Sequence, residues 1–71
     1  MTTQREPGPG EARVLNLRPG TRCLIHRPGA RAIYLVYEED RRQKSVEPVG
    51  TFASWAAALY AAKARSGPSA A

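Results

Sequence analysis

Seventy-one residues leave room for one small domain, and eleven Lys and Arg against six Asp and Glu give a formal net charge of +5 and a pI near 10.2. One cysteine excludes an internal disulfide, no run of ~20 apolar residues could span a membrane, and residues 1–10 lack the apolar stretch of a signal peptide. A cytoplasmic protein in a reducing compartment, with no membrane partner, is the expectation.

Nine of the eleven cations are arginine. The guanidinium fork matches phosphate and carboxylate better than an ammonium does, which points towards an anionic partner. The chain is equally rich in alanine, glycine and proline, and GC-rich codons would supply all four without any functional reason.

Residues 1–12 contain Pro7-Gly8-Pro9-Gly10 and no aliphatic side chain before Val14 beyond the initiator methionine and Ala12, so nothing there offsets the entropy of ordering. A disordered tail over 1–12 is expected, followed by one domain over 13–66. Val14, Leu15 and Leu17 form a short first strand that the turn at Pro19-Gly20 ends. A repeat follows: Arg18-Pro19-Gly20-Thr21-Arg22 and Arg27-Pro28-Gly29-Ala30-Arg31 each lead into an apolar run, nine residues apart. Proline presets φ at the second turn position and glycine accepts the positive φ of the third, so each copy reads as a turn feeding a strand. Strand 22–26 should pair antiparallel with strand 31–37, with His26 opposite Arg31.

The run 31–37 is the most strongly β-forming stretch of the chain and reads as the central strand. Residues 38–44, Glu-Glu-Asp-Arg-Arg-Gln-Lys, have no apolar member and read as a solvated hairpin tip. Ser45 to Val49 returns as a third strand, at an edge because Pro48 has no N–H for a ladder, and Gly50 ends it. Residues 51–66 read as a helix: seven of the twelve residues from Ala53 to Ala64 are alanine, Trp55, Ala58, Leu59 and Ala62 form one stripe, and Ser54 or Thr51 can cap the start. Gly67 and Pro68 stop it, and 67–71 reads as a second disordered tail. The expected architecture is α+β, a small antiparallel meander of three to four strands packed against one C-terminal helix.

Little in this chain points to catalysis. Cys23 and His26, the sole cysteine and histidine, sit three apart on one strand and so point to opposite faces, which argues against a nucleophile and base. Four zinc ligands cannot be assembled from them, Glu38, Glu39 and Asp40 read as a solvated loop, and no glycine-rich phosphate loop stands between a strand and a helix. No enzymatic activity, metal or cofactor is expected.

The basic residues carry the remaining signal. Arg13, Arg18, Arg22, Arg27 and Arg31 occur between Ala12 and Ala32 without an intervening acid. In the pairing above, Arg22, His26 and Arg31 share one face with Leu24, Ile33, Leu35 and Tyr37, while Cys23, Ile25, Ala32, Tyr34 and Val36 face the helix. A one-residue slip would exchange the two faces.

Three antiparallel strands followed by a helix that starts Phe52-Ala53-Ser54-Trp55-Ala56-Ala57-Ala58 resembles the small sheet-plus-helix domains at the N-termini of phage-type integrases. That resemblance covers roughly residues 22–66 and implies a sheet that contacts DNA.

Two functions are therefore expected. One is a nucleic-acid-binding accessory protein, with DNA or RNA held by Arg22, Arg27, Arg31, Arg41, Arg42 and Lys44 on phosphate and Tyr37 on a base. The alternative is a protein-interaction or inhibitor module of the phage or plasmid kind, working through the sheet edge or the exposed face; a homodimer through the edge fits either. An arginine and tyrosine surface on the free face favours the first, and a continuous apolar patch favours the second.

Overall fold

The computed structural model describes residues 5–18 and 20–65. Four strands, β1 (Ala12–Arg18), β2 (Thr21–His26), β3 (Tyr34–Asp40) and β4 (Ser45–Phe52), form one antiparallel sheet in the order β1-β2-β3-β4, and α1 (Trp55–Ala64) packs on one face. This is the α+β meander with a C-terminal helix that the sequence pattern implies. The expected turn at Pro19, the helix end at Ser66 and the tail at 67–71 lie outside the described residues. Among the described residues no helix is long and apolar enough to cross a membrane.

The alternation of β2 and β3 decides which face takes the helix. Cys23, Ile25, Tyr34 and Val36 are buried, and Ala58 and Ala62 of α1 close over them, with Leu15, Val49, Phe52, Trp55 and Leu59 packed around the cluster. Alanine is what this junction needs, because a small Cβ lets the helix approach the sheet closely. Bulk comes from Tyr34 and Trp55, whose rings lie 6.0 Å apart at 54°. The Cys23 thiol lies 3.9 Å from the Ala62 carbonyl oxygen.

Several boundaries differ from the sequence reading, each for a local reason. β3 starts at Tyr34, not Arg31, because residues 29–32 form a bend whose carbonyls are used elsewhere: Ala30 O and Arg31 O accept from the Arg27 guanidinium at 2.7 and 3.1 Å, and Arg31 O also accepts from the Ile33 N–H at 2.8 Å. Ala32 is consequently exposed in the bend and absent from the core. His26 pairs with Leu35, not Arg31. The displacement is four residues, an even number, so every side chain kept within the strands keeps its face.

Glu38, Glu39 and Asp40 belong to β3, and the tip shrinks to 41–44. Each carboxylate is used. Glu38 accepts from Arg65 Nε at 2.8 Å, Glu39 is paired with Arg22, and Asp40 Oδ1 accepts the N–H groups of Arg42 and Gln43 at 3.0 and 3.3 Å. β4 continues past Gly50 to Phe52 through a bulge opposite Val36 and Tyr37 that sets Val49 and Gly50 both towards the helix. Glycine suits that position, since a Cβ at Gly50 would stand 3.1 Å from the Phe52 ring. Thr51 thus belongs to the strand, and the cap is Ser54, whose hydroxyl accepts the Ala57 N–H at 3.1 Å. Pro48 lies on β4, an edge strand, as its missing N–H requires.

Residues 5–11, within the stretch read as a tail, lie against the helix side of the sheet. The Gly10 N–H donates to Arg27 O at 2.7 Å, the Arg27 N–H to Glu11 O at 2.9 Å, and Pro7 is fully buried. The Tyr34 hydroxyl donates to the Glu6 carboxylate, and Arg27 lies 5.8 Å from the Tyr34 ring centre.

Candidate functional site

With α1 on one face, the other face of the sheet is covered by none of the described elements. Register places on it Ala12, Val14 and Asn16 of β1, Arg22, Leu24 and His26 of β2, Leu35, Tyr37 and Glu39 of β3, and Val46, Pro48 and Thr51 of β4. A trough of about 400 Å³ crosses this face, walled by Ala12, Arg22, Leu24, His26, Tyr37, Glu39 and Val46. Ala12 pairs with His26 at one end of the sheet and Val46 with Glu39 at the other, so the trough runs diagonally across all four strands. Such a diagonal hollow is what right-handed sheet twist produces.

The trough is apolar along its floor and electrically balanced. Leu24 and Tyr37 stand opposite each other at its centre, and Val14 and Val46 are 39% and 60% exposed beside them. The arginine among the trough residues, Arg22, faces Glu39 directly across β2 and β3 and forms an ion pair with it.

The expected nucleic-acid contacts do not form one surface. Arg22 and Tyr37 share the trough. Arg27 is on the helix side, 16% exposed, with its guanidinium on the carbonyls of Pro7, Ala30 and Arg31 and near Glu6 at 3.5 Å, so it clasps the loop to the sheet. Arg31 is exposed in the 29–32 bend at that same end. Arg41, Arg42 and Lys44 sit at the opposite end, in the β3–β4 tip. The tip is joined to the β1–β2 turn by the Arg41 N–H, which donates to Gly20 O at 2.7 Å.

Other arginines are also engaged. Arg13 donates to the Arg5 carbonyl at 2.7 Å and approaches Glu11 at 3.5 Å, while Arg65 bridges Glu38 and Glu47. Among the described residues, Arg41, Arg42 and Lys44 make no ion pair, and all three are exposed. Arg5 and Arg31 make no ion pair either and lie towards the other end of the sheet, so the tip is where three exposed, unpaired cations stand together.

The shifted titrations are those of groups with structural roles. Burial pushes the Cys23 thiol up, with Glu38 adding to the effect, so the nucleophilic thiolate is suppressed. His26 lies on the trough side of β2, across the sheet from that thiol. The Tyr34 phenol is raised, first by its hydrogen bond to Glu6 and then by burial. Glu11 is lowered by the Gly8 N–H that it accepts at 2.7 Å and by Arg13.

Sequence reasoning missed Ala12, Val46 and the compensating Glu39. Val46 was findable: once the tip is confined to Arg-Arg-Gln-Lys, Glu39 and Val46 must face each other. In comparison with known proteins, the chain matches no family model, no curated protein and no solved structure.

Proposed function

We propose that this chain is a protein-interaction module whose uncovered sheet face receives an apolar segment of a partner protein. The observation that carries this reading is the trough itself: Leu24, Tyr37 and Val46 line a hollow in which Arg22 is already neutralised by Glu39. A phosphate contact at Arg22 would first have to displace a carboxylate held in register, whereas an apolar segment leaves that pair intact. A concave, mostly apolar hollow with a few polar groups at its rim is the form that recognition sites take.

The size of the face sets the kind of complex. Four strands of about seven residues present a footprint of about 450 Å². That is roughly half of the ~800 Å² that each side of a standard stable interface buries, which suits a partner that comes and goes.

The test replaces Tyr37 with the photo-crosslinking residue p-benzoylphenylalanine in the full chain, with and without Leu24→Glu. A discrete protein adduct abolished by Leu24→Glu supports the reading, and an adduct to a second copy makes the partner a homodimer. No adduct, or adducts indifferent to Leu24→Glu, removes the face from consideration.

A further inference from the structure

A second surface, distinct from the trough, lies at the end of the sheet where the two hairpin turns meet. We infer that these joined tips form a phosphate-contacting site for nucleic acid, with Arg41, Arg42 and Lys44 as the contacting side chains. The inference does not depend on the protein-interaction reading, because it uses a different part of the molecule.

The first observation is charge. Arg13, Arg22, Arg27 and Arg65 each approach a carboxylate within 3.6 Å, whereas Arg5, Arg31 and the three tip cations make no ion pair among the described residues, and only at the tip do three such cations fall within four consecutive residues. Asp40, the acid next to Arg41 and Arg42 in the chain, spends its Oδ1 on the N–H groups of Arg42 and Gln43, inside the turn. That carboxylate is oriented into the turn, while Arg41, Arg42 and Lys44 are exposed.

The second observation is that the tip is built rather than loose. Asp40 closes the turn, the Arg41 N–H anchors it to Gly20 O, and Lys44 is held in the left-handed region at φ 52°. The Arg42 side chain lies across Gly20. That glycine has φ +86°, and a Cβ there would stand 3.1 Å from Arg42 Nε and 3.3 Å from its Cγ. Glycine at position 20 therefore permits both the turn and the placement of Arg42. With the backbone of the tip fixed and the Arg42 side chain against Gly20, less entropy is lost on meeting an anion than from a loose loop.

The chemistry favours a nucleic-acid backbone over an anionic membrane. Residues 41–44 are Arg-Arg-Gln-Lys, with no apolar side chain to enter a bilayer, whereas guanidinium forks and an amide suit phosphate oxygens and neighbouring hydrogen-bonding groups.

The test is fluorescence anisotropy of labelled duplex DNA and single-stranded RNA with the intact chain at about 50 and 200 mM salt. It compares wild type, the triple variant Arg41→Ala/Arg42→Ala/Lys44→Ala, Gly20→Ala and Arg31→Ala, with thermal unfolding confirming that each folds. Three phosphate contacts at about 0.9 each imply that the triple variant lowers the slope of log affinity against log salt by about 2.7. The same three contacts account for about a 40-fold loss of wild-type affinity between the two salt concentrations. Gly20→Ala keeps every charge but displaces Arg42, and should weaken binding; Arg31→Ala, at the far end, should leave it within about twofold. The inference is overturned by absence of binding at the lower salt, by a triple variant that binds like wild type, by a Gly20→Ala variant that does so, or by binding to phosphatidylserine vesicles without binding to either nucleic acid.

Discussion

Neighbouring residues of β2 give the most direct check on which face of this sheet is the core. Ile25 is fully buried beneath α1, while Leu24, one residue earlier, stands partly exposed in the trough. Ile25→Ala removes three carbons at about 0.8 kcal/mol each and leaves a cavity that the small helix junction cannot fully close, for a total of about 3 to 4 kcal/mol. A domain of this length has about 4 to 10 kcal/mol in all, so the substitution consumes a third of its stability or more. Leu24→Ala should cost about 1 kcal/mol, since the side chain is only partly removed from water. Urea unfolding followed by far-ultraviolet circular dichroism measures both, and a heat scan should place the Ile25→Ala midpoint about 12 to 30 °C below wild type. Were Leu24→Ala to cost as much as Ile25→Ala, the helix would be on the other face, and the trough would not be a surface at all.

Two further substitutions probe the ends of the architecture. Ser54→Ala removes the hydroxyl that accepts the Ala57 N–H and should destabilise the protein by about 1 kcal/mol; an unchanged urea midpoint would show that α1 is set by packing alone. The Tyr34 phenol is raised above its ordinary value of 10.0, chiefly by its hydrogen bond to Glu6. Because the folded value exceeds the unfolded one, this contribution is complete below about pH 10 and is lost as pH rises through the raised value. An ultraviolet titration of tyrosinate should show one tyrosine ionising late, and Tyr34→Phe should remove that step; if the late step persists in Tyr34→Phe, the link between residues 5–11 and the core is not the one described.

Much of the fold was legible because it rests on short-range physics. The alternation of Cys23, Ile25, Tyr34 and Val36 marks the buried rows wherever the partner strand is placed, and Ser54 with the alanine stripe marks the helix. The expected pairing of His26 with Arg31 missed by four residues, because the backbone of residues 29–32 is bent around the Arg27 guanidinium. Period-two geometry absorbed the error: an even displacement leaves faces unchanged, so Arg22, Leu24, His26 and Tyr37 were placed on the correct side even though their partners were not.

Charge was the feature that the chain order concealed. Between Ala12 and Ala32 the sequence shows five arginines and no acid, and this local count suggests a basic surface. The carboxylates come from elsewhere, Glu39 reaching Arg22 across seventeen positions and Glu6 reaching Arg27 across twenty-one. Which cations are neutralised depends on strand register and on how residues 5–11 fold back, and both are set by tertiary packing. Composition and pattern thus determined an antiparallel sheet under one alanine-rich helix with a surplus of arginine. Only the tertiary structure decided where that surplus remains uncompensated, because Coulomb attraction falls with distance through space and takes no account of distance along the chain.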